Sequence, residues 1–275
     1  MNKYKIVFVY IDDTLNPTIK NVSETTKKVM KKIIDQNIKV VVNTGRSNSY
    51  AILKSKEAGL SEYVISSNGS EVYNYKTNEV IFQRIIPENT VKDVYNYCNN
   101  LGLTLILNSL DKRFVNTEDY NYNDEPVIYI QNIDEILKNN EISQMIIISK
   151  NYDRMLVLPN LFKEKFPNLK TVHSSIALVE QKPEKNKQYY HDLVLENTAK
   201  STGIVELLDY LNIQEDEAIA IGNGYDDICM CDVVETSVAV ENANEILKQR
   251  ATLITESAEN DGVAKILEKL ILKEN

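Results

Sequence analysis

Lys5-Ile-Val-Phe-Val-Tyr10-Ile-Asp12-Asp13-Thr14-Leu15 is the stretch whose reading decides the fold. Ile6 to Ile11 is continuously apolar rather than alternating. That is the pattern of a strand buried on both faces, and here it runs straight into two acids. The run is shorter than the roughly 7–15 residues of a secretory h-region, so it reads as a strand and not as a leader. The segments that follow keep the same rhythm. Ser23 is placed to cap a helix carrying Val29, Ile33 and Ile34 on one stripe. Ile38 to Asn43 is a second strand, Ser47 to about Ala58 a second helix, and Tyr63–Ser66 a third strand. Glu71–Tyr75 and Glu79–Arg84 flank Lys76-Thr-Asn78 as a hairpin. This order predicts a parallel sheet with helices on both faces.

Further along, the texture changes. Residues 87–187 are rich in Asn, Tyr and Lys. Their clearest strands are Leu103–Leu107 and Met145–Ile148, and helices are expected over Glu88–Asn100, Ile133–Lys138 and Asp153–Phe166. Pro159 is a candidate break in the last of these. Gln181 to Gln188 reads as a polar turn. After it the first texture returns: a helix with Ile204, Leu207, Leu208 and Leu211 in one stripe, strands at Ala218–Ile221, Ser237–Val240 and Ala251–Ile254, and helices after Asn242 and Asp261. The expectation is a discontinuous core of residues 1–86 and 188–275, split by an α/β insert at 87–187.

Composition limits function. The 275 residues carry 31 Lys and Arg against 40 Asp and Glu, a formal net charge of −9, which argues against a nucleic-acid partner. No apolar run approaches the ~18 residues needed to span a bilayer, so no membrane partner is expected. Cys98, Cys229 and Cys231 form no paired framework and lack zinc-site spacing. His173 and His191 are too few and too separate to suggest zinc. Reduced cysteines place the protein in the cytoplasm.

In open parallel sheets, function collects beyond the C-terminal ends of the strands. Four polar clusters stand there: Tyr10 to Leu15; Asn43-Thr44-Gly45-Arg46; Asn197-Thr-Ala-Lys200 at a helix entry; and Gly222-Asn223-Gly224-Tyr225-Asp226-Asp227. Each alone is explained by turns, caps or solvated surface. In combination, the carboxylates suit a hard divalent cation, while a Thr hydroxyl, a Gly amide and a Lys suit phosphate oxygens. Such a set performs phosphoryl transfer by positioning and charge neutralisation. Gly222-x-Gly224 also permits a dinucleotide reading, but it lacks the third glycine.

In this order, the clusters resemble the haloacid dehalogenase (HAD) superfamily, and more narrowly its Cof-type IIB branch of sugar-phosphate and related phosphatases. Ser67-Asn68-Gly69-Ser70, Val238 to Ala243 and Asp261-Gly-Val-Ala264 carry the likeness over nearly the whole chain. The resemblance implies a Rossmann-like core with a parallel sheet and an inserted C2-type α/β cap, Mg²⁺ as cofactor and a small phosphorylated metabolite as ligand. It implies Thr44, Gly45 and Lys200 as phosphate ligands, with Arg46 and Asn68 facing substrate or cap. Asp12 takes the general acid/base position and lends its backbone carbonyl to the metal. Asn223, Asp226 and Asp227 occupy the remaining metal positions.

The likeness fails where the chemistry is done. The family's nucleophilic Asp is Tyr10 here, a bulkier phenol with a pKa of ~10. Asp13 stands where the family has Gly, and Asn223 where it has an acid. Asp226 supplies a carboxylate one turn later. Formal charge is preserved, but relocated acids do not rebuild the octahedral site that Mg²⁺ requires. A shifted register would make Asp12 the nucleophile, but then Thr14 falls where the acid belongs. Direct attack by Tyr10 would need a base that the nearby sequence does not supply. Two functions follow: a family member with impaired or absent hydrolysis that binds a phosphorylated ligand or a protein, or an active Mg²⁺-dependent phosphomonoesterase with a non-standard site.

Overall fold

In the computed structural model, residues 2–17, 21–120, 125–172, 183–184 and 187–273 are described. His173 and positions 181, 182, 185 and 186 of the expected polar turn lie outside them. The first run forms β1 (Ile6–Val9), followed by α1 (Glu24–Ile34), β2 (Lys39–Asn43), α2 (Asn48–Ala58), β3 (Tyr63–Ser66), β4 (Glu71–Asn74) and β5 (Glu79–Gln83). Ser23 caps α1 by accepting the Thr26 N–H, and Ser47 caps α2 by accepting that of Tyr50.

The insert supplies α3 (Glu88–Asn100), β6 (Thr104–Asn108), β7 (Arg113–Val115), β8 (Ile128–Tyr129), α4 (Ile133–Asn139), β9 (Gln144–Ser149), α5 (Tyr152–Lys165), β10 (Leu169–Val172) and β11 (Tyr189–Leu195). The chain then adds α6 (Lys200–Leu211), β12 (Ala218–Gly222), β13 (Thr236–Val240), α7 (Glu245–Arg250), β14 (Leu253–Thr255) and α8 (Gly262–Leu267).

An eight-stranded sheet runs β14-β13-β12-β1-β2-β3-β4-β5, parallel from β14 to β3 and antiparallel from β3 to β5. Its central strands β1, β2, β3, β12 and β13 are buried on both faces, while the edge strands β5 and β14 are partly exposed. Val7, Val9, Val40, Val42, Ile219 and Ile221 join one core with α1, α2 and α8. Ile6, Phe8, Val41, Ala218 and Ala220 point the other way, into a core closed by Ile204, Leu207 and Leu208 of α6. From β1 the chain winds outward to β2, and on its other side β1 pairs with β12. The resulting switch point opens a crevice at the C-terminal ends of β1 and β12.

The second sheet, β10-β11-β9-β6-β7-β8, packs α3 and α5 against one face only. Leu105, Leu107, Met145, Ile147 and Leu193 meet those helices. Strand alternation therefore turns Asn108, Gln144 and Asp192 to the opposite face. β11 pairs with β9 and β10, so residues 189–195 belong to this sheet. The return to the core thus falls after Leu195, not at 187/188. The apolar alternation of β11 is satisfied by the insert's own core, which a boundary drawn on composition misses.

Pro159 lies inside α5 without ending it. Proline cannot donate to the carbonyl four residues back, that of Met155. The buried His191 Nε2 donates to that oxygen instead, at 2.7 Å. We expect His191→Leu to cost about 1–3 kcal/mol by stranding that carbonyl. In a Pro159→Ala background, which restores the N–H, the loss should shrink; a double-mutant cycle in urea checks both.

Candidate functional site

Tyr10 follows β1 directly, and its N–H extends the ladder to Ile221 O at 3.0 Å. Its side chain is buried. Burial, followed by the charges of Asp12, Asp226 and Asp227, pushes the phenol well above its ordinary range. Beside it lies Lys200, the first residue of α6, delivered to the core by the segment that returns from β11. The Lys200 side chain is 0% exposed. Its Nζ sits 2.8 Å from Asp226 Oδ2, 2.6 Å from Asp227 Oδ1 and 3.6 Å from the centre of the Tyr10 ring. Burial works against the ammonium, but the two carboxylates outweigh it and hold its pKa above the ordinary lysine value.

Asp227 does two jobs. Its Oδ1 meets Lys200, and its Oδ2 accepts the N–H groups of Asn223 and Gly224, both at 2.9 Å. This fixes the turn after β12. A Cβ at Gly222 would come within 2.5 Å of Asp227 Oδ2, so the turn needs glycine there. Asp226 differs: burial raises its pKa, Lys200 opposes the rise, and its Oδ1 is buried without a hydrogen-bond partner among the described residues. The same holds for Asn223 Oδ1 and Thr14 Oγ1. Tyr225–Asp232 form a 3₁₀ helix, in which Cys229 and Cys231 sit half-buried as free thiols.

Asp12 lies two residues beyond Tyr10 and pairs with Arg46 Nε at 3.3 Å. The Arg46 guanidinium also stacks 4.6 Å from the Tyr50 ring centre. Asp13 adopts φ +57°, a left-handed conformation that glycine takes freely and that aspartate tolerates better than most residues. The turn therefore survives the change of residue type. Thr44 is fully buried, and its Oγ1 accepts the Arg46 N–H at 3.2 Å. Gly45 is required by close approach: a Cβ there would come within 2.7 Å of Asn68 Oδ1.

Residues that the sequence did not single out join this site from the insert. Asp192 of β11 accepts Asn68 Nδ2 at 2.7 Å and Gln144 Nε2 at 3.0 Å, both on Oδ2. Gln144 also donates to Gly45 O at 2.9 Å. From Gln144 the bonding runs through Asn108 and Arg113 to Glu125, which accepts from Ser47 of the core. A second polar contact joins Ser143 Oγ to Glu71 Oε1 at 2.7 Å; Ser66 and Ser67 hold the other oxygen of that buried carboxyl. The available signal was an acid inside an otherwise apolar strand, Tyr189-Tyr-His-Asp192-Leu-Val-Leu195, a placement that strands disfavour.

Magnesium, which the resemblance implies, does not fit these donors. No three His, Cys, Asp or Glu side chains converge to hold a metal ion among the described residues. Position 10 offers a neutral phenol and position 223 a neutral amide, while the two acids after β12 are already engaged by Lys200.

The comparisons with known proteins agree with the fold. A family model described as haloacid dehalogenase-like hydrolase matches residues 7–267. The chain belongs to that family. It is 23% identical over 279 residues to the putative phosphatase YxeH of Bacillus subtilis, covering 98% of this chain and 99% of that one. It is 26% identical to the chloroplastic endoribonuclease YBEY of Arabidopsis thaliana, and it spans about half of that protein's length, 46%. Among solved structures, a haloacid dehalogenase-like hydrolase from Bacteroides thetaiotaomicron superposes with a TM-score of 0.84 at 21% identity, covering 98% of this chain and 100% of that one. The HAD subclass IIB sugar phosphatase BT4131 superposes with a TM-score of 0.76 at 21% identity, covering 96% and 98%. These structural likenesses establish the shared fold, a parallel-sheet core of the Rossmann-like type.

Burial raises Asp192 from 3.8 to about 7; the Asn68 hydrogen bond and the charges of Arg46 and Lys200 oppose the rise, and Asp226 adds to it. A carboxyl with a raised folded-state pKa lets the native state bind the extra proton, so stability falls as pH climbs from near 4 to near 7. We expect Asp192→Asn, which keeps an acceptor for Asn68 and Gln144, to flatten that fall and to exceed the native protein above pH 7. Chemical unfolding at a series of pH values measures it.

Proposed function

We propose that this protein is a Cof-type phosphatase relative that binds a small phosphorylated metabolite between core and insert, with hydrolysis impaired or absent. The observation that carries this reading is Tyr10, set where the family places its nucleophile and stacked on a buried, doubly ion-paired Lys200. In-line attack on phosphorus needs an anionic or activated oxygen. The Tyr10 phenol is held neutral, and the cation beside it meets the ring face. Asp12 retains a carboxylate, but Arg46 holds it. Nothing in this arrangement prepares a covalent phosphoryl step.

Ligand binding has support of its own. Thr44 and Gly45 follow β2 directly, and the Thr14 hydroxyl is a buried donor with no partner among the described residues. Buried polar groups without partners usually meet water or ligand. Arg46 and Asn68 line the side towards the insert, where Asn68 already bonds Asp192. The insert acts as a cap in this reading. The ligand is small and anionic; the net charge of −9 speaks against polyanions, and no helix among the described residues is long and apolar enough to cross a membrane. Three free cysteines support a reducing compartment such as the cytoplasm.

The test is phosphate release from an aryl phosphate and a panel of sugar phosphates, with Mg²⁺, by native protein, Tyr10→Asp and Lys200→Ala. We expect native protein to stay at the background rate. We also expect at least one sugar phosphate at about 100 times its Kd to raise the thermal midpoint by several degrees. Sustained native turnover that Lys200→Ala abolishes would establish an active hydrolase with a non-standard site and end this reading.

A further inference from the structure

We infer that the Lys200 ammonium is the resident cation of this site, standing where a divalent metal would serve, and that the site takes up no Mg²⁺ or Mn²⁺. The inference rests on the site assignment above but not on the ligand or turnover proposed there. Its basis is how each oxygen near the end of β1 is already employed. Asp227 has no idle oxygen: Oδ1 holds Lys200, and Oδ2 holds two backbone N–H groups. Asp226 gives Oδ2 to the same ammonium. Asp12 gives Oδ2 to Arg46 Nε at 3.3 Å.

What remains is one carboxylate oxygen each of Asp226 and Asp12, the Asp12 backbone carbonyl, the amide oxygen of Asn223 and a phenol. Mg²⁺ asks for about six oxygens in near-octahedral array at roughly 2.0–2.1 Å, and it dehydrates reluctantly. The two spare carboxylate oxygens belong to Asp226 and Asp12, each already paired with a cation, so they bring little net negative charge to a dication. A dication placed there would also face a buried ammonium at close range, with little solvent to screen the repulsion.

Lys200 meets the needs of a resident cation in turn. Two carboxylates bind it, and its third side faces the electron-rich Tyr10 ring at 3.6 Å. A carboxylate at position 10 would have been a metal ligand; the phenol ring is a surface for an ammonium. The changes at positions 10, 223 and 226 therefore form one set: two acids that could have held a metal are neutral, and the added acid holds the lysine.

Mn²⁺ titration of the full chain, followed by the electron paramagnetic resonance signal of the free aquo ion, decides the question. We expect native protein to leave the signal unchanged and its urea midpoint to be equal in Mg²⁺ and in EDTA. The triple variant Tyr10→Asp/Asn223→Asp/Lys200→Met, which supplies acids and removes the ammonium, should capture about one Mn²⁺ per chain. Should that variant fail to fold, as its circular dichroism would reveal, the native titration still decides. Saturable capture by native protein that Asp226→Asn abolishes overturns the inference, as does a Mg²⁺-dependent rise in the native midpoint. Sugar-phosphate binding in EDTA separates the two readings: its absence alongside an unchanged manganese signal removes the ligand reading and leaves this one standing.

Discussion

One buried ammonium holds three parts of the core in register. Lys200 begins α6, Asp226 and Asp227 follow β12, and Tyr10 follows β1; the lysine touches all of them. Asn43 at the end of β2 adds a fourth tie by donating to Lys200 O at 3.2 Å. Desolvating such charges is costly, so the cluster need not add net stability over an apolar plug. What it does is specify geometry. A charge buried this deeply tolerates no arrangement in which its partners drift apart, because losing one leaves the rest uncompensated.

The sheet order explains why these residues meet. Parallel strands that part on either side of β1 leave a crevice at their C-terminal ends, and α6 can enter it only after the chain has returned from the insert. The helix carrying Lys200 is tied to that crossing by close approach: a Cβ on Gly69, at φ +86°, would lie 2.0 Å from Ala199 O. The segment after β3 therefore abuts the start of α6, and the same segment presents Asn68 to Asp192. The position of the insert over the core and that of the lysine in the site are consequently coupled through residues 67–70.

Much of this was legible from residues alone. The unbroken apolar run Ile6–Ile11 marked β1 as a strand buried on both faces, β2 and β12 were legible as strands, and Ser23 marked a helix start through its capping chemistry. The polar residues at strand ends were legible as a group, since topology rather than tertiary detail puts them there. Other features depend on partners distant in sequence. Pro159 reads locally as a break; only His191, 32 residues away, makes it tolerable. The boundary after Leu195 was hidden because β11 is satisfied by β9 and β10 rather than by the core. Asp192 carries no local motif, and its role comes from strand alternation and from which face of the second sheet lacks helices.

The departures from the family pattern gain meaning when taken together. Asp13 keeps the left-handed turn that glycine would adopt, so the loop after β1 holds its shape while gaining a charge. At position 10 the exchange of carboxylate for phenol removes an anion beside Lys200, and Asp226 supplies one from the other side. A carboxylate at 10 with Asp226 still present would crowd three acids around one ammonium in a buried setting, raising their pKa values or drawing in another cation. With the phenol, two acids, one ammonium and one ring face suffice. The charge pattern of this site is therefore self-consistent without a metal, and each altered residue fits best in the presence of the others.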